Sequence, residues 1–184
     1  GLELAERLIA RAPKGLSRVF FADNGSAAVE IALKMSFHSF ANQGISGRNR
    51  FIALANSYHG ETLGALSMAD IPLYRQVYAP LLLDPVFAPS PDFGNRQPGE
   101  NEADCALRCA DALRRLVEQH RHELCALIIE PLVQCAGGMR MYHPVYLGEA
   151  RRICDEYGIH LIADEIAVGF GRTGTLFACE QAGI

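Results

Sequence analysis

An aspartate, Asp164, stands directly after three apolar residues, Leu161-Ile162-Ala163. Such a run is typical of a buried strand, so the carboxylate would sit at the strand's end, where an unpaired charge is costly. A protonated ring nitrogen of a ligand would balance this charge, and the carboxylate would raise the pKa of that nitrogen. An ion pair with an arginine is the alternative, and Arg172 is one candidate.

A second group of residues has the chemistry to bind an anion. Asn24-Gly25-Ser26 opens a helical pattern, so free amides of Gly25, Ser26 and Ala27 would meet the positive end of a helix. Gly25 lets a ligand approach the backbone closely, and the Ser26 hydroxyl adds a donor. Together these features predict a phosphate-binding site. Taken alone, the motif favours a simpler interpretation, in which Asn24 or Ser26 only caps the helix.

Tyr58-His59-Gly60 brings an aromatic ring and an imidazole to the end of another apolar run. The Tyr58 ring could stack on a planar ligand, and His59 could be a ligand or a general base. A half-buried tyrosine and a structural histidine are the alternatives. Glu130 ends a further apolar run. Because parallel strands end at one edge of a sheet, we expect Tyr58, Glu130 and Asp164 to share one rim.

The elements that would position these residues follow from the hydrophobic pattern. Four short apolar runs predict buried strands, at Val19–Ala22, Phe51–Ala55, Ala126–Ile129 and His160–Ala163. Helical stripes lie between them, from Val29 to Phe40, from Leu107 to Val117 and from Tyr146 to Tyr157. The alternation predicts an α/β fold, a mostly parallel sheet with helices on both faces. Residues 85–102, rich in Pro and Gly, predict a long surface loop.

The bulk properties narrow the class of protein. The chain has 184 residues, of which 49% are hydrophobic and 21% charged, as in one soluble domain with a core. A net charge of −4 gives no overall attraction to nucleic acid or to an anionic membrane, and no apolar run is long enough for a bilayer. The six cysteines include no Cys-x-x-Cys, so we expect reduced thiols in a cytoplasmic protein and no metal site. The first residues already have the pattern of a helix interior, so we expect these 184 residues to be a piece of a longer chain.

Two familiar nucleotide motifs are matched only by coincidence. Gly169-x-Gly171-x-x-Gly174 has the spacing of a dinucleotide-binding loop, but it does not follow its strand at once and opens no helix. Asp164-Glu165 is similar to the second acidic motif of many ATPases, yet the chain contains no phosphate-loop lysine motif.

Four motifs, in order and in spacing, resemble the class III aminotransferases, which are pyridoxal 5'-phosphate enzymes of fold type I. The motifs are Ala22 to Glu30, Ser57 to Thr62, Ile129 to Pro131 and Ala163 to Gly174. The resemblance covers essentially the whole chain. It implies that residues 1–184 are a single partial domain, namely part of the large, cofactor-binding domain.

The resemblance also implies roles for the residues singled out above. Gly25 and Ser26 would hold the cofactor phosphate, Tyr58 would stack on the pyridine ring, and Asp164 would pair with the ring nitrogen. His59 would belong to the same cofactor-binding set. If the strand continues past Asp164, Ile166 lies on the same strand face as Asp164 and would pack against the other side of the ring. The substrate side would be lined by Glu61, Glu130 and Arg172.

Residues 137–147 and 171–184 carry a finer similarity, to the members of the class that serve biotin synthesis. These enzymes transfer an amino group from S-adenosyl-L-methionine to 8-amino-7-oxononanoate, and the similarity implies both compounds as substrates and a homodimer. Three alternatives stay open: an aminotransferase for another ω-amino acid or a diamine, a racemase or mutase of the glutamate-1-semialdehyde type, and a fragment that only binds or dimerises.

Enzymes of this class need a lysine that holds the cofactor as a Schiff base. The chain has only Lys14 and Lys34. Lys34 would lie about 12 Å along its helix from Ser26, at about 1.5 Å per residue, so we expect neither lysine to reach the ring. We therefore expect the small domain and the strand with the catalytic lysine to lie outside residues 1–184, and the chain alone to be inactive.

Overall fold

The computed structural model describes residues 1–184 and is built around a parallel sheet. The order of its four strands is β2-β1-β3-β6, and β4 and β5 form a separate antiparallel pair. The strands are β1 (Arg50–Leu54), β2 (Val86–Ala88), β3 (Leu124–Ile129), β4 (Val133–Gln134), β5 (Arg140–Met141) and β6 (His160–Ala163). The α-helices are α1 (Leu2–Ile9), α2 (Gly25–Asn42), α3 (Leu63–Ser67), α4 (Pro72–Arg75), α5 (Glu102–His120) and α6 (Val145–Tyr157). Three 3₁₀ helices cover Ala79–Leu81, Phe93–Asn95 and Ala178–Ala182.

Helices cover both faces of the sheet, which confirms the predicted α/β fold. Because successive strand residues point to opposite faces, Leu127 and Ile129 of β3 pack with α5 and α6, while Ala126 and Ile128 pack with α2 and α3. All six residues of β3 are buried, as expected for a strand paired on both sides. This central strand ends one residue before Glu130.

The helix boundaries follow local signals in the sequence. Asn24 caps α2, because its side-chain oxygen accepts a hydrogen bond from the Ala27 amide at 2.8 Å. Pro144 precedes α6, and Gly158 ends it with a φ of +61°. The three helical stripes are confirmed as parts of α2, α5 and α6.

The prediction of a first strand at Val19–Ala22 is wrong. No strand forms there, and the side chains of Phe20 and Phe21 are 65% and 52% exposed. An apolar run becomes a strand only where a neighbouring strand offers hydrogen bonds, and none lies beside this segment. The segment nevertheless leads directly into α2, so the predicted helix start is unaffected.

The prediction that residues 85–102 form a surface loop is wrong for its first part. Val86–Ala88 form β2, which pairs with β1 in parallel, and Ser90 and Asp92 are buried. Pro85 and Pro89 suggested a loop, but proline is tolerated beside a short strand at the edge of a sheet. Residues 96–99 are exposed, as predicted.

All six cysteines are free thiols in the structure. None of the helices is both long and apolar enough to cross a membrane.

Candidate functional site

The ends of β1, β3 and β6 bring their polar residues together at one rim of the sheet. The Tyr58 amide donates a hydrogen bond to Oε1 of Glu130 at 3.0 Å, which joins the loop after β1 to the end of β3. The Nδ1–H of His59 donates to Oδ2 of Asp164 at 2.7 Å, which joins the same loop to the end of β6. The convergence expected from the sequence is therefore present.

Asp164 is a buried carboxylate, with 8% of its surface exposed. Oδ2 accepts from His59, and Oδ1 accepts from the Ile166 amide at 3.2 Å. The ion pair with Arg172, the alternative weighed from the sequence, is not formed. The buried imidazole of His59 stands next to the carboxylate instead, and its Nε2 atom has no hydrogen-bond partner. The hydrogen-bond partner of His59 in the structure is thus Asp164.

A cavity of about 330 Å³ lies between the start of α2 and the end of β6. Three of the residues singled out from the sequence, Gly25, Asp164 and Ile166, line it together with mainly apolar neighbours such as Val29 and Phe170. Gly25 packs closely on Ile166, because a Cβ atom at position 25 would lie 3.0 Å from Cγ1 of Ile166. A glycine at this point leaves room for the side chain of Ile166 beside the helix start.

Fewer backbone amides are free to bind an anion at the start of α2 than the sequence suggested. The Ala27 amide is taken by the Asn24 cap, whereas the amides of Gly25 and Ser26 have no partner. These two amides point from the positive end of an 18-residue helix, which favours a phosphate group. The helix cap is therefore confirmed for Asn24. Phosphate binding by the two free amides stays a prediction.

The Ser26 hydroxyl is already engaged by the loop after β1. Its oxygen accepts from the amides of Glu61 at 3.1 Å and Thr62 at 2.9 Å, and it lies 2.8 Å from the Thr62 hydroxyl. Gly60 makes this contact possible, because it has a φ of +127° and a Cβ there would lie 2.5 Å from Oγ of Ser26. Thr62 was not singled out from the sequence, because no local pattern connects it to Ser26.

Tyr58 is held by contacts on its ring and on its hydroxyl group. The ring centroid lies 5.1 Å from that of Tyr74, and the hydroxyl donates to Oε1 of Glu61 at 2.7 Å. Burial, followed by the hydrogen bond to Glu61, raises the pKa of Tyr58 to about 12, so the hydroxyl stays protonated at neutral pH. Tyr58 and Glu61 do not line the cavity itself.

Glu130 has both carboxylate oxygens bonded to backbone amides. Oε1 accepts from Tyr58, and Oε2 accepts from Cys135 at 3.0 Å. Burial raises the pKa of this carboxyl group. These contacts differ from the open substrate-facing position expected from the sequence, because the carboxylate fixes two loops of the rim.

Two other glutamates bind backbone amides in the same way. Glu30 of α2 accepts from the first amides of α3, those of Gly64 at 2.6 Å and Ala65 at 3.3 Å. Glu165 accepts from the amides of Ala178 and Cys179, both at 2.8 Å. We call Glu30, Glu130 and Glu165 the amide-anchoring carboxylates, since each fixes a segment next to the cavity.

Arg172 is exposed and forms neither an ion pair nor a hydrogen bond. It lines a second hollow of about 480 Å³, together with residues such as Cys135, Met139 and Tyr142. A free guanidinium beside an apolar hollow suits a ligand with a carboxylate and an aliphatic part.

The residues present fit a ligand with a phosphate at one end and a cationic aromatic nitrogen at the other. The unbonded amides of Gly25 and Ser26 suit the phosphate, and the buried carboxylate of Asp164 suits the cation. Gly25 and Asp164 line one cavity, so a single ligand there can meet both residues. Lys14 and Lys34 are exposed, and neither lines this cavity.

The chain is similar to known proteins over most or all of its length. The family model described as aminotransferase class-III matches residues 1–184. The adenosylmethionine-8-amino-7-oxononanoate aminotransferase of Nitratidesulfovibrio vulgaris is 47% identical over 185 residues, covering 100% of this chain and 34% of that protein. The enzyme of the same name from Helicobacter pylori is 48% identical over 170 residues, covering 92% of this chain and 37% of the relative.

Solved structures agree with this similarity. The adenosylmethionine-8-amino-7-oxononanoate aminotransferase of Methanocaldococcus jannaschii superposes with a TM-score of 0.87 at 34% identity, over 97% of this chain and 38% of that one. An omega transaminase of Pseudomonas jessenii, in complex with PMP, gives a TM-score of 0.92 at 33% identity, over 100% of this chain and 41% of the other. The chain thus spans between 34% and 41% of the length of these proteins.

Proposed function

We propose that this chain, which belongs to the class-III aminotransferase family, is much of the cofactor-binding domain of a longer pyridoxal-phosphate-dependent aminotransferase. The observation that carries the proposal is the single cavity that joins Gly25, at the positive end of α2, to the buried Asp164. Support also comes from the Pseudomonas jessenii transaminase, whose structure contains PMP and superposes over 100% of this chain.

For the reaction, we propose transfer of an amino group from S-adenosyl-L-methionine to 8-amino-7-oxononanoate, giving 7,8-diaminononanoate for biotin synthesis. The relatives at 47% and 48% identity carry names that state this activity. An aminotransferase for another ω-amino acid or a diamine is the second candidate, favoured by the TM-score of 0.92 with an omega transaminase.

We assign roles to the residues that line the cavity and to their neighbours as follows. The amides of Gly25 and Ser26 bind the phosphate, and Asp164 keeps a proton on the ring nitrogen, while His59 fixes the orientation of that carboxylate. Ile166 and Tyr58 cover the ring. When bound, pyridoxal phosphate supplies an electron sink for the carbon that loses its proton.

The substrate side is assigned to Glu61 and Arg172, and Glu130 is assigned to the support of the Tyr58 loop. The lysine that accepts and returns the proton is proposed to lie in the rest of the parent protein, because neither Lys14 nor Lys34 lines the cavity. The parent is proposed to be a homodimer.

The function is tested with the full-length parent enzyme. We expect 7,8-diaminononanoate to form from 8-amino-7-oxononanoate when S-adenosyl-L-methionine is the donor, and much less product when alanine or putrescine replaces it. Activity with alanine or putrescine alone would favour the second candidate. A product that retains the amino group of the substrate would instead indicate a mutase.

Replacing Tyr58 tests the proposed ring contact. In the parent enzyme, Tyr58→Leu should weaken pyridoxal phosphate binding by about 2- to 13-fold, because an aromatic pair contributes about 0.5–1.5 kcal/mol beyond its buried area. Tyr58→Phe keeps the ring and loses only the bond to Glu61, so its affinity should stay close to that of the parent. Titration of the visible absorption of the cofactor measures both. Equal losses in the two variants would contradict stacking.

Replacing Arg172 tests the substrate side. Arg172→Gln should raise KM for the acceptor by about 10- to 100-fold, because a hydrogen bond to a charged group contributes about 1.5–3 kcal/mol. The visible spectrum of the bound cofactor should not change. The matched control is Arg115→Gln, because Arg115 is exposed on α5 and has no partner. An unchanged KM in the Arg172 variant would exclude this arginine from acceptor binding.

A further inference from the structure

We propose that Glu165 is a positioning residue of the active site, which acts through the loop of residues 166–177. The inference rests on the proposed function, since this loop carries Ile166 towards the cofactor cavity and Arg172 towards the substrate side. Three features of the structure support it: the contact of the carboxylate, the close packing of Gly169, and the internal bonds of the loop.

The carboxylate of Glu165 closes the loop at its base. Oε2 accepts from the Ala178 amide and Oε1 accepts from the Cys179 amide, each at 2.8 Å. Ala178 and Cys179 are 0% and 5% exposed, so water cannot readily replace the carboxylate as acceptor. Glu165 forms no ion pair. Its carboxylate instead accepts hydrogen bonds from the first two amides of the 3₁₀ helix Ala178–Ala182.

The start of the loop packs directly on the same residue. The amides of Val168 and Gly169 donate to the backbone oxygen of Glu165 at 3.2 and 2.8 Å. A Cβ atom at position 169 would lie 2.9 Å from that oxygen and 3.3 Å from Oε2 of Glu165. The absence of a side chain at Gly169 thus lets the turn fold against the carboxylate that holds the other end.

Bonds inside the loop connect this base to Arg172. The Gly171 amide donates to the Leu176 oxygen at 3.2 Å, and Nε2 of Gln181 donates to the Thr173 oxygen at 2.7 Å. Both neighbours of Arg172 are therefore held by residues next to the Ala178 end. Release of that end should displace Arg172, even though Glu165 itself does not contact it.

A glutamine at position 165 removes this arrangement with little change in volume. Its side chain has one oxygen acceptor, and its NH₂ group would face the second amide, so two donors would meet. We expect the loop to open more often, with a KM for the acceptor raised several-fold and a kcat within about twofold of the parent value.

The experiment uses the full-length parent and two readouts. Arg172 is the only basic residue of the loop, so trypsin cleavage after Arg172, identified by mass spectrometry, reports loop opening without reference to activity. Glu165→Gln should be cleaved there roughly tenfold faster than the parent, with a raised acceptor KM. Glu165→Asp keeps the charge but shortens the side chain, and it should change both readouts in the same direction. It takes the place of the glutamine variant if that variant does not fold.

Glu180→Gln is the matched control, because Glu180 is exposed and its carboxylate accepts only one hydrogen bond, from the Phe177 amide at 3.3 Å. Unchanged cleavage in the Glu165 variants, or faster cleavage with an unchanged KM, would overturn the positioning role. If the parent catalysed no transamination, the proposed function would fail, while faster cleavage after Arg172 would still support control of the loop by Glu165.

Discussion

Asp164→Asn should lower kcat/KM of the full-length parent enzyme by about 10²- to 10⁴-fold. Removal of one partner of a buried ion pair costs about 3–5 kcal/mol, and each 1.36 kcal/mol is about a factor of ten in rate. Asparagine has nearly the same size and can still accept from the Ile166 amide, so the backbone is preserved. It cannot balance a charge on a bound ring nitrogen.

Steady-state kinetics and the visible spectrum of the bound cofactor measure this effect. Asp111→Asn is a suitable control, because Asp111 is exposed on α5 and has no ion pair. A near-parental kcat/KM in the Asp164 variant would exclude the proposed pairing. Loss of activity in both variants would show that the decrease is not specific to the cavity.

Gly60→Ala should destabilise the protein and weaken cofactor binding together. Gly60 has a φ of +127°, and a Cβ there would lie 2.5 Å from Oγ and 2.9 Å from Cα of Ser26. The strained backbone costs about 1–3 kcal/mol, and forcing an atom into a packed contact costs about another 1–3 kcal/mol. We therefore expect the free energy of unfolding to fall by about 2–6 kcal/mol, with the helix start that binds the phosphate displaced.

Denaturant unfolding and cofactor titration of the parent enzyme measure the two effects. Gly15→Ala separates backbone strain from steric overlap, because Gly15 has a φ of +100° but a Cβ there would meet nothing within 4 Å. It should lose only the strain contribution and keep full cofactor affinity. Equal losses of stability in the two variants would contradict the close contact between Gly60 and Ser26.

The parts of the site that could be predicted are those fixed by local sequence. The end of β6 was predicted because an apolar run stops at Asp164, and the start of α2 because Asn24 is a good N-cap. Where pairing with a distant segment decides the structure, the prediction failed. Val19–Ala22 is apolar but lies beside no strand, whereas β2 was hidden between prolines and forms because β1 offers it an edge.

The contacts made by the site residues were harder to predict than the residues themselves. His59 and Asp164 are 105 positions apart, and nothing in the sequence indicates that one accepts a hydrogen bond from the other. The roles of Glu130 and Glu165 were also hidden, because their partners are backbone amides, which are present at nearly every position and leave no pattern.

The amide-anchoring carboxylates have a consequence for how such a site can change during evolution. Every residue type except proline has a backbone amide, so a segment held in this way keeps its anchor when its side chains are exchanged. Residues around the cavity can therefore diverge and acquire a new substrate preference while the backbone stays in place. The six donor positions are 58, 64, 65, 135, 178 and 179, and proline would remove the donor at each of them. Position 64 also requires glycine, because a Cβ atom there would overlap the carboxylate of Glu30.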